Sequence, residues 1–488
     1  MKWSFWGVIA TVGIFAFPQV SLAAGGGREM IAFIHIGVID GTGKPLMEKM
    51  TALISGDRIS GLSPDIEANI PKGARVVDCS GKYLIPGLWD MHIHLNGNEY
   101  ALPLLLANGV TGVREMGCTE EQLQKIRKWQ KEAGEGKRVV PCFRVSGPPL
   151  DGPRPIPPEM RFTVTNTGQA AAAVLKLKKM KVDFIKVHDW ISVEAYDALV
   201  REAKRNNMIF VGHVPATVRA AQVSDSGQKS IEHFGGVLGG FLMNCCREEE
   251  ALRNSFLQAM QEANREKKGM LPYLLALRSR TRQKILETYD DQKARNLIDT
   301  LLRNRTWLCP TLVVQSPDQK EEGVDERLKY IPAELHKAWA SWSIEDYLTP
   351  EDIAAQKGFQ QKLMDLAGEM RRRGIRFLAG TDTTLDEETP YLFPGFSLHE
   401  EMALMTAAGF TPMEALQSAT RGAAEFFGEE NRWGTITAGM RADLVLLDAD
   451  PLADIANTRK IAGVVLNGRY LDRKKLDDML ASVAQEMK

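Results

Sequence analysis

The chain has 488 residues, 44% hydrophobic and 25% charged, with 61 Lys+Arg against 62 Asp+Glu for a formal net charge of −1. That length exceeds one compact core and fits one large domain with a smaller one. No basic excess points to nucleic acid, and no acidic block suggests a disordered tail.

The chain opens with Lys2, then an apolar run from Trp3 to Phe17, then Ser21-Leu22-Ala23. A short positive start, an apolar stretch and small residues at the cut predict a secretory signal peptide over residues 1–23, cleaved near Ala23. A periplasmic or secreted protein follows. The run of about 15 residues is short of the roughly 20 that a span needs, so no stable membrane span is expected.

Residues 29–84 carry short β-like runs, MIAFIHIGVID, MTALISGDRIS and ARVVDCSGKYLI, punctuated by Gly and Asp. The same texture returns over residues 431–475, in GTITAGMRADLVLLDAD and IAGVVLNGRYL. Together the two ends predict a small composite β-sandwich. Residues 85–430 alternate apolar runs with helical stretches such as VEAYDALVREAKRNN and PGFSLHEEMALMTAAG. The candidate strands are Leu84–His94, Val110–Met116, Val139–Ser146, Phe184–His188, Ile209–His213, Ser230–His233, Trp307–Val314 and Arg376–Thr381. Repeated strand–helix units imply parallel pairing, and this number of them predicts an α/β fold, a (β/α)8 TIM barrel. An open doubly wound sheet is the alternative, but no Gly-rich dinucleotide fingerprint follows an early strand. Helical, charge-rich insertions at about 247–305 and 325–373 interrupt the pattern after the sixth and seventh strands. Insertions there sit over the mouth of a barrel, so a lid or pocket wall competes with a peripheral decoration or subunit contact.

Six cysteines, Cys79, Cys118, Cys142, Cys245, Cys246 and Cys309, match no zinc or redox spacing. Scattered buried or free thiols are expected, with one structural disulfide as the alternative.

The first candidate strand ends in Trp89-Asp90-Met91-His92-Ile93-His94. Alternate strand residues face one way, so His92 and His94 can chelate one ion together. The chain holds eight histidines, and among those at ends of candidate strands are this pair, His213 in Gly-His-Val-Pro and His233 in Ser-Ile-Glu-His. The eighth candidate strand runs into Asp382, and the fourth carries Lys186 inside Phe-Ile-Lys-Val-His. Each alone has an ordinary reading. His213 or His233 could be a satisfied core histidine, Asp382 a helix N-cap, and Lys186 an ion pair with Asp183 or Asp189. Together they gather at the C-terminal rim, where barrel enzymes keep their active sites.

These residues, with Gly87 and the segment Gly439-x-x-Ala442-Asp443-Leu444-Val445, resemble the amidohydrolase superfamily. The likeness is to its imidazolonepropionase-like branch with Xaa-Pro dipeptidase-like relatives, and it covers nearly all of the mature chain. The resemblance implies two divalent metal ions, zinc foremost. His92, His94 and Asp382 hold one, His213 and His233 the other, and Lys186, carboxylated by CO2, bridges them. It implies cleavage of an amide C–N bond by metal-activated hydroxide, with Asp382 as the catalytic proton acceptor. The substrate is a small amide, a dipeptide or an N-acyl amino acid.

Neutral imidazole and carboxylate suit zinc. Burial beside cations frees a lysine amine for carbamate formation. His188 and Arg144, near the same rim, are candidate substrate contacts, Arg144 through its carboxylate-binding fork. A partner that orients a ligand is the alternative for His188, and a structural salt bridge for Arg144. Two alternatives stand beside this reading. One is a mononuclear cyclic-amide hydrolase or deaminase, against which Lys186 argues. The other is a non-catalytic binding protein on the same barrel.

Overall fold

The structure, a computed structural model, describes residues 30–153, 160–234, 240–266, 270–316, 325–341, 349–386 and 390–488. The expected signal segment lies outside them. No described helix is long and apolar enough to cross a membrane.

The first strands are β1 (Met30–Val38), β2 (Met47–Ser55), β3 (Arg58–Pro64), β4 (Arg75–Asp78) and β5 (Tyr83–Pro86). Then come β6 (Leu88–Ile93), β7 (Val110–Glu115), β8 (Cys142–Val145), β9 (Leu150–Asp151), β10 (Phe162–Thr163), β11 (Ile185–Val187), β12 (Phe210–Gly212), β13 (Ser230–Glu232) and β14 (Trp307–Cys309). The last are β15 (Leu444–Leu447), β16 (Ile461–Leu466) and β17 (Arg469–Asp472).

Both chain ends build one β-rich layer, a single sheet where a sandwich was expected. Its eight strands form a single mixed sheet, ordered β17-β16-β15-β5-β1-β2-β3 with β4 beside β1. Ile31, Phe33, Ile36 and Val38 of β1, their alternation shifted by an irregularity between Phe33 and Ile36, enter one apolar cluster with Leu444 and Leu446 of β15. The C-terminal helix Arg473–Glu486, beyond the expected boundary, docks Val483 against Leu104.

The middle of the chain is a TIM-barrel-like α/β fold with parallel strands. They form two sheets that do not close, β6-β7-β8 and β10-β9-β11-β12-β13-β14. Three expected strands are corrected by local chemistry. Leu84–His94 breaks at Gly87: β5 joins the β-rich layer and β6 the barrel. A Cβ on Gly87 would sit 2.2 Å from Thr111 Oγ1, while its N–H donates to Asp443 O at 2.7 Å. Trp307–Val314 stops at Cys309, because Pro310 has no N–H and Thr311 is left-handed (φ 47°). Arg376–Thr381 is not a strand. It is stitched between its neighbours by single bridges, Leu308 to Phe377 and Ile93 to Thr383, and by Met91 N donating to Ala379 O at 2.8 Å.

Amphipathic helices cover the strands. In Val193–Arg205, capped by Ser192 Oγ accepting from Ala195 N, the residues Ala195, Tyr196, Leu199 and Ala203 are buried. The two insertions pack on each other. Ser279 Oγ donates to Asp352 Oδ1 at 2.6 Å, and the Lys362 ammonium lies 3.5 Å from the Tyr289 ring centroid. All six cysteines are free thiols, as expected.

Glu401, fully buried on the helix Phe396–Ala407, accepts from Val313 N at 2.8 Å and so holds the turn after β14. Burial pushes its carboxyl up to about 8, against hydrogen bonds from Val313 and Leu312, from an ordinary value of 4.5. Between those values the folded state binds the extra proton, so this group costs stability as pH rises through that window. Glu401→Gln is expected to flatten the fall in unfolding free energy between pH 5 and 8, measured by urea titration at each pH. Gly87→Ala is expected to destabilise by about 1–3 kcal/mol through overpacking against Thr111, read as a lowered urea midpoint.

Candidate metal centre

The strand ends converge as the period of two requires. His92 Nε2 and His94 Nε2 lie 3.3 Å and 3.4 Å from the same oxygen, Asp382 Oδ1. Ligands about 2.0–2.1 Å from a tetrahedral ion are about 3.3 Å apart, so this donor triad has the spacing of a site for a divalent ion such as zinc. Lys186 Nζ lies 3.4 Å from His92 Nε2 and is fully buried. The ion pairs weighed for it are not made: among the described residues no carboxylate lies within 4.0 Å of its ammonium. His233 Nδ1 is 3.7 Å from Asp382 Oδ2. The His213 and His233 rings meet edge to face at 4.9 Å, and the His92 and His233 rings are tilted to each other at 4.4 Å. All six expected ligands are therefore in one cluster, though His213 shares its tightest donor group with His188 and Asp189.

Backbone geometry aims these groups. His233 just past β13, Thr311 just past β14 and Asp382 after the eighth segment all take left-handed φ (54°, 47° and 57°), a conformation non-glycine residues avoid and active sites retain. Gly380 lets the eighth segment reach His92, since a Cβ there would lie 2.7 Å from His92 N and 2.6 Å from Cys309 Sγ.

Three imidazoles turn Nδ1 to a protein oxygen. His92 Nδ1 meets Glu232 Oε2 at 3.0 Å, His213 Nδ1 lies 2.9 Å from Asp189 Oδ1, and His233 Nδ1 meets Thr311 Oγ1 at 2.6 Å. The hydrogen bonds of His92 and His233 fix their tautomers and leave Nε2 free for an ion. Glu232 is itself held by the buried guanidinium of Arg114 at 2.6 Å, which also donates to Ser230 Oγ at 3.0 Å and to the Met91 carbonyl. Asp90 accepts from Thr381 Oγ1 at 2.7 Å, tying β6 to the eighth segment.

Electrostatics suit ligation. Burial, with the nearby Lys186 charge, holds His92 well below its ordinary value, and burial does the same to His233. Both rings are neutral donors. Burial works to raise the Asp382 carboxyl, but His233, His94 and Lys186 outweigh it and keep Asp382 anionic. Burial pushes Lys186 down to about 8, against the pull of Glu232 and Asp382.

Two expected substrate residues fare differently. His188 stands beside the cluster, its ring 4.3 Å from that of His213 and its Nδ1 3.9 Å from Asp151 Oδ2. Arg144 is engaged elsewhere: its fork meets Glu429 at 2.6 Å and Asp183 at 3.8 Å, and its guanidinium lies over the Phe427 ring. The structure thus makes it a structural ion pair rather than a carboxylate clamp. The residues that sequence reasoning missed are Arg114, Glu232, Asp189 and Thr311. For Arg114 and Glu232 a signal existed, a charge inside an apolar strand, the same that singled out Lys186.

A TIM-barrel-like fold with imidazole, carboxylate and lysine donors at its strand ends defines a class of hydrolases. The amidohydrolase family model matches residues 83–471, and the chain belongs to that family, whose members hydrolyse amide-type C–N bonds and generally use metal ions. No curated protein matches the chain. Solved structures share the fold. A Bifidobacterium longum protein provisionally named a prolidase is 22% identical, with a TM-score of 0.65 over 94% of this chain and 100% of that one. The bottromycin amidohydrolase is 22% identical (TM-score 0.67, 94% and 90% covered). A Xaa-Pro dipeptidase with methionine bound in its active site is 17% identical (TM-score 0.63, 91% and 100% covered).

Glu232→Gln leaves the Arg114 guanidinium buried without its counter-ion. It is expected to cost about 3–5 kcal/mol, measured by urea titration in chelator so that metal binding does not contribute.

Proposed function

We propose that this protein is a binuclear metal-dependent amidohydrolase that cleaves a C–N bond in a small amide, a dipeptide or an N-acyl amino acid. The observation that carries the reading is the donor triad His92, His94 and Asp382, spaced for one ion, with a fully buried Lys186 beside it that lacks a carboxylate partner among the described residues. His92, His94 and Asp382 would hold the first ion, His213 and His233 the second. With Lys186 brought down to about 8, a fraction of its amine is neutral at pH 7. That amine adds to CO2, forming an N–C bond and releasing one proton. The resulting carbamate would be anionic, and with the imidazoles and Asp382 it would help hold divalent cations and offset their charge. When bound, the ions supply Lewis acidity, lowering the pKa of water and polarising a carbonyl.

The chain's own residues do the rest. Asp382, kept anionic, accepts the proton of the attacking water and delivers it to the leaving nitrogen. Glu232 and Thr311 keep His92 and His233 in the ligating tautomer. His188, its ring 4.3 Å from that of His213, would contact substrate or support His213. The dipeptide class draws on the prolidase and dipeptidase names of the solved structures with this fold.

The test is metal analysis of the purified protein together with a panel of dipeptides and N-acyl amino acids, zinc and bicarbonate supplied. Two ions per chain are expected, with hydrolysis lost to chelator. Lys186→Ala should lower the metal content and reduce kcat/KM more than about 100-fold. One ion per chain with full activity in Lys186→Ala would favour the mononuclear cyclic-amide hydrolase. A metal-loaded protein that cleaves nothing would favour a binding protein.

A further inference from the structure

Asp382 heads a loop whose backbone is not self-supporting. Asp382, Leu385 and Tyr391 all adopt left-handed φ (57°, 54° and 62°), and none is glycine. L residues disfavour that region, and such a path persists only where neighbours over-determine it. The neighbours are visible. On the barrel side His94 N donates to Thr383 O at 2.8 Å, and Asn96 Nδ2 donates to Thr384 O at 2.6 Å. On the other side Trp339 Nε1 donates to Asp386 O at 2.7 Å, and the Tyr391 hydroxyl donates to Trp339 O at 3.2 Å.

Trp339 comes from outside the barrel. It lies on the short helix Ala333–Ser341 of the second insertion and is fully buried. Its ring meets Tyr391 at 5.9 Å, tilted, and Phe393 at 5.6 Å, edge on. Packing alone would be served by Phe. What indole adds is one N–H, and it is spent on a carbonyl four residues from Asp382.

We infer that Trp339 is a positioning residue for Asp382, and that the second insertion clamps the loop bearing that carboxylate rather than decorating the surface. The inference rests on the proposed role of Asp382 as proton acceptor. A loop held on one side only would let the carboxylate drift from the spacing it keeps with His92 and His94, and small misplacements near reacting atoms cost rate rather than binding.

The test compares Trp339→Phe, which keeps the ring and removes the N–H, with Tyr391→Phe, which removes the reciprocal hydroxyl. Amide hydrogen exchange of residues 383–386 should quicken roughly three- to tenfold in Trp339→Phe, the scale of one lost hydrogen bond. kcat should fall roughly tenfold with KM within about twofold, and two ions should remain bound. Tyr391→Phe should shift exchange in the same direction. Unchanged exchange at 383–386 in Trp339→Phe would overturn the clamp. So would a loss of activity that only follows the fraction unfolded. If the unsubstituted protein cleaves no amide, the role of Asp382 falls, and the exchange measurement still decides the clamp by itself.

Discussion

Arg114 carries a full positive charge in the barrel interior with no access to water. Taking such a charge out of water costs several kcal/mol unless every donor is met. The structure meets them across strands that are distant in sequence: Met91 O on β6, Ser230 Oγ and Glu232 on β13, with the rings of Phe184 and Phe426 5.9 Å and 5.1 Å from the guanidinium carbon. The Glu232 oxygen that meets Arg114, Oε2, also meets His92 Nδ1, while Oε1 accepts from Ser230 Oγ. One buried ion pair therefore fixes how β6 and β13 sit against β7, and it passes that order to the first imidazole of the metal centre. A hydrophobic replacement of the pair would remove the group that sets the His92 tautomer.

Around that chain the mouth is built from unfavourable pieces. His233, Thr311 and Asp382 are left-handed, Lys186 is buried, and Asp90 and Glu115 are pushed up to about 7 chiefly by burial. None of these improves stability on its own. Each is held by a neighbour: Thr381 on Asp90, Leu95 N on Glu115, Thr311 on His233. This is the pattern expected where a site is preorganised and the scaffold bears the cost. It fits the family to which the chain belongs, in which a common fold presents donor side chains at strand ends and the loops set what is bound.

The local signals were legible. Alternation along Trp89-Asp90-Met91-His92-Ile93-His94 put both imidazoles on one face, and the structure gives both the same Asp382 oxygen. A lysine inside an apolar strand marked Lys186, which is buried at the cluster. The β-like runs at the two ends foretold one β-rich unit, since hydrophobic alternation reports a sheet face whatever its partner. Strand limits were less legible. Pro310 and Gly87 end or divert a strand, and the segment before the left-handed Asp382 pairs only by single bridges, for backbone reasons that an apolar run conceals. Arg144 shows the other limit. Its partner Glu429 is 285 positions away, and nothing near Arg144 in the sequence announces it.

By itself the sequence determined the side-chain chemistry, the strand faces and the approximate strand ends, because these depend on periods of two and on charges placed among apolar neighbours. Only the tertiary structure decided which oxygen each imidazole faces, that Arg114 and Glu232 stand behind His92, and that Trp339 reaches Asp386. Those are contacts between segments far apart in the chain, and they follow from packing and from the requirement that buried polar groups find partners, which no local pattern encodes.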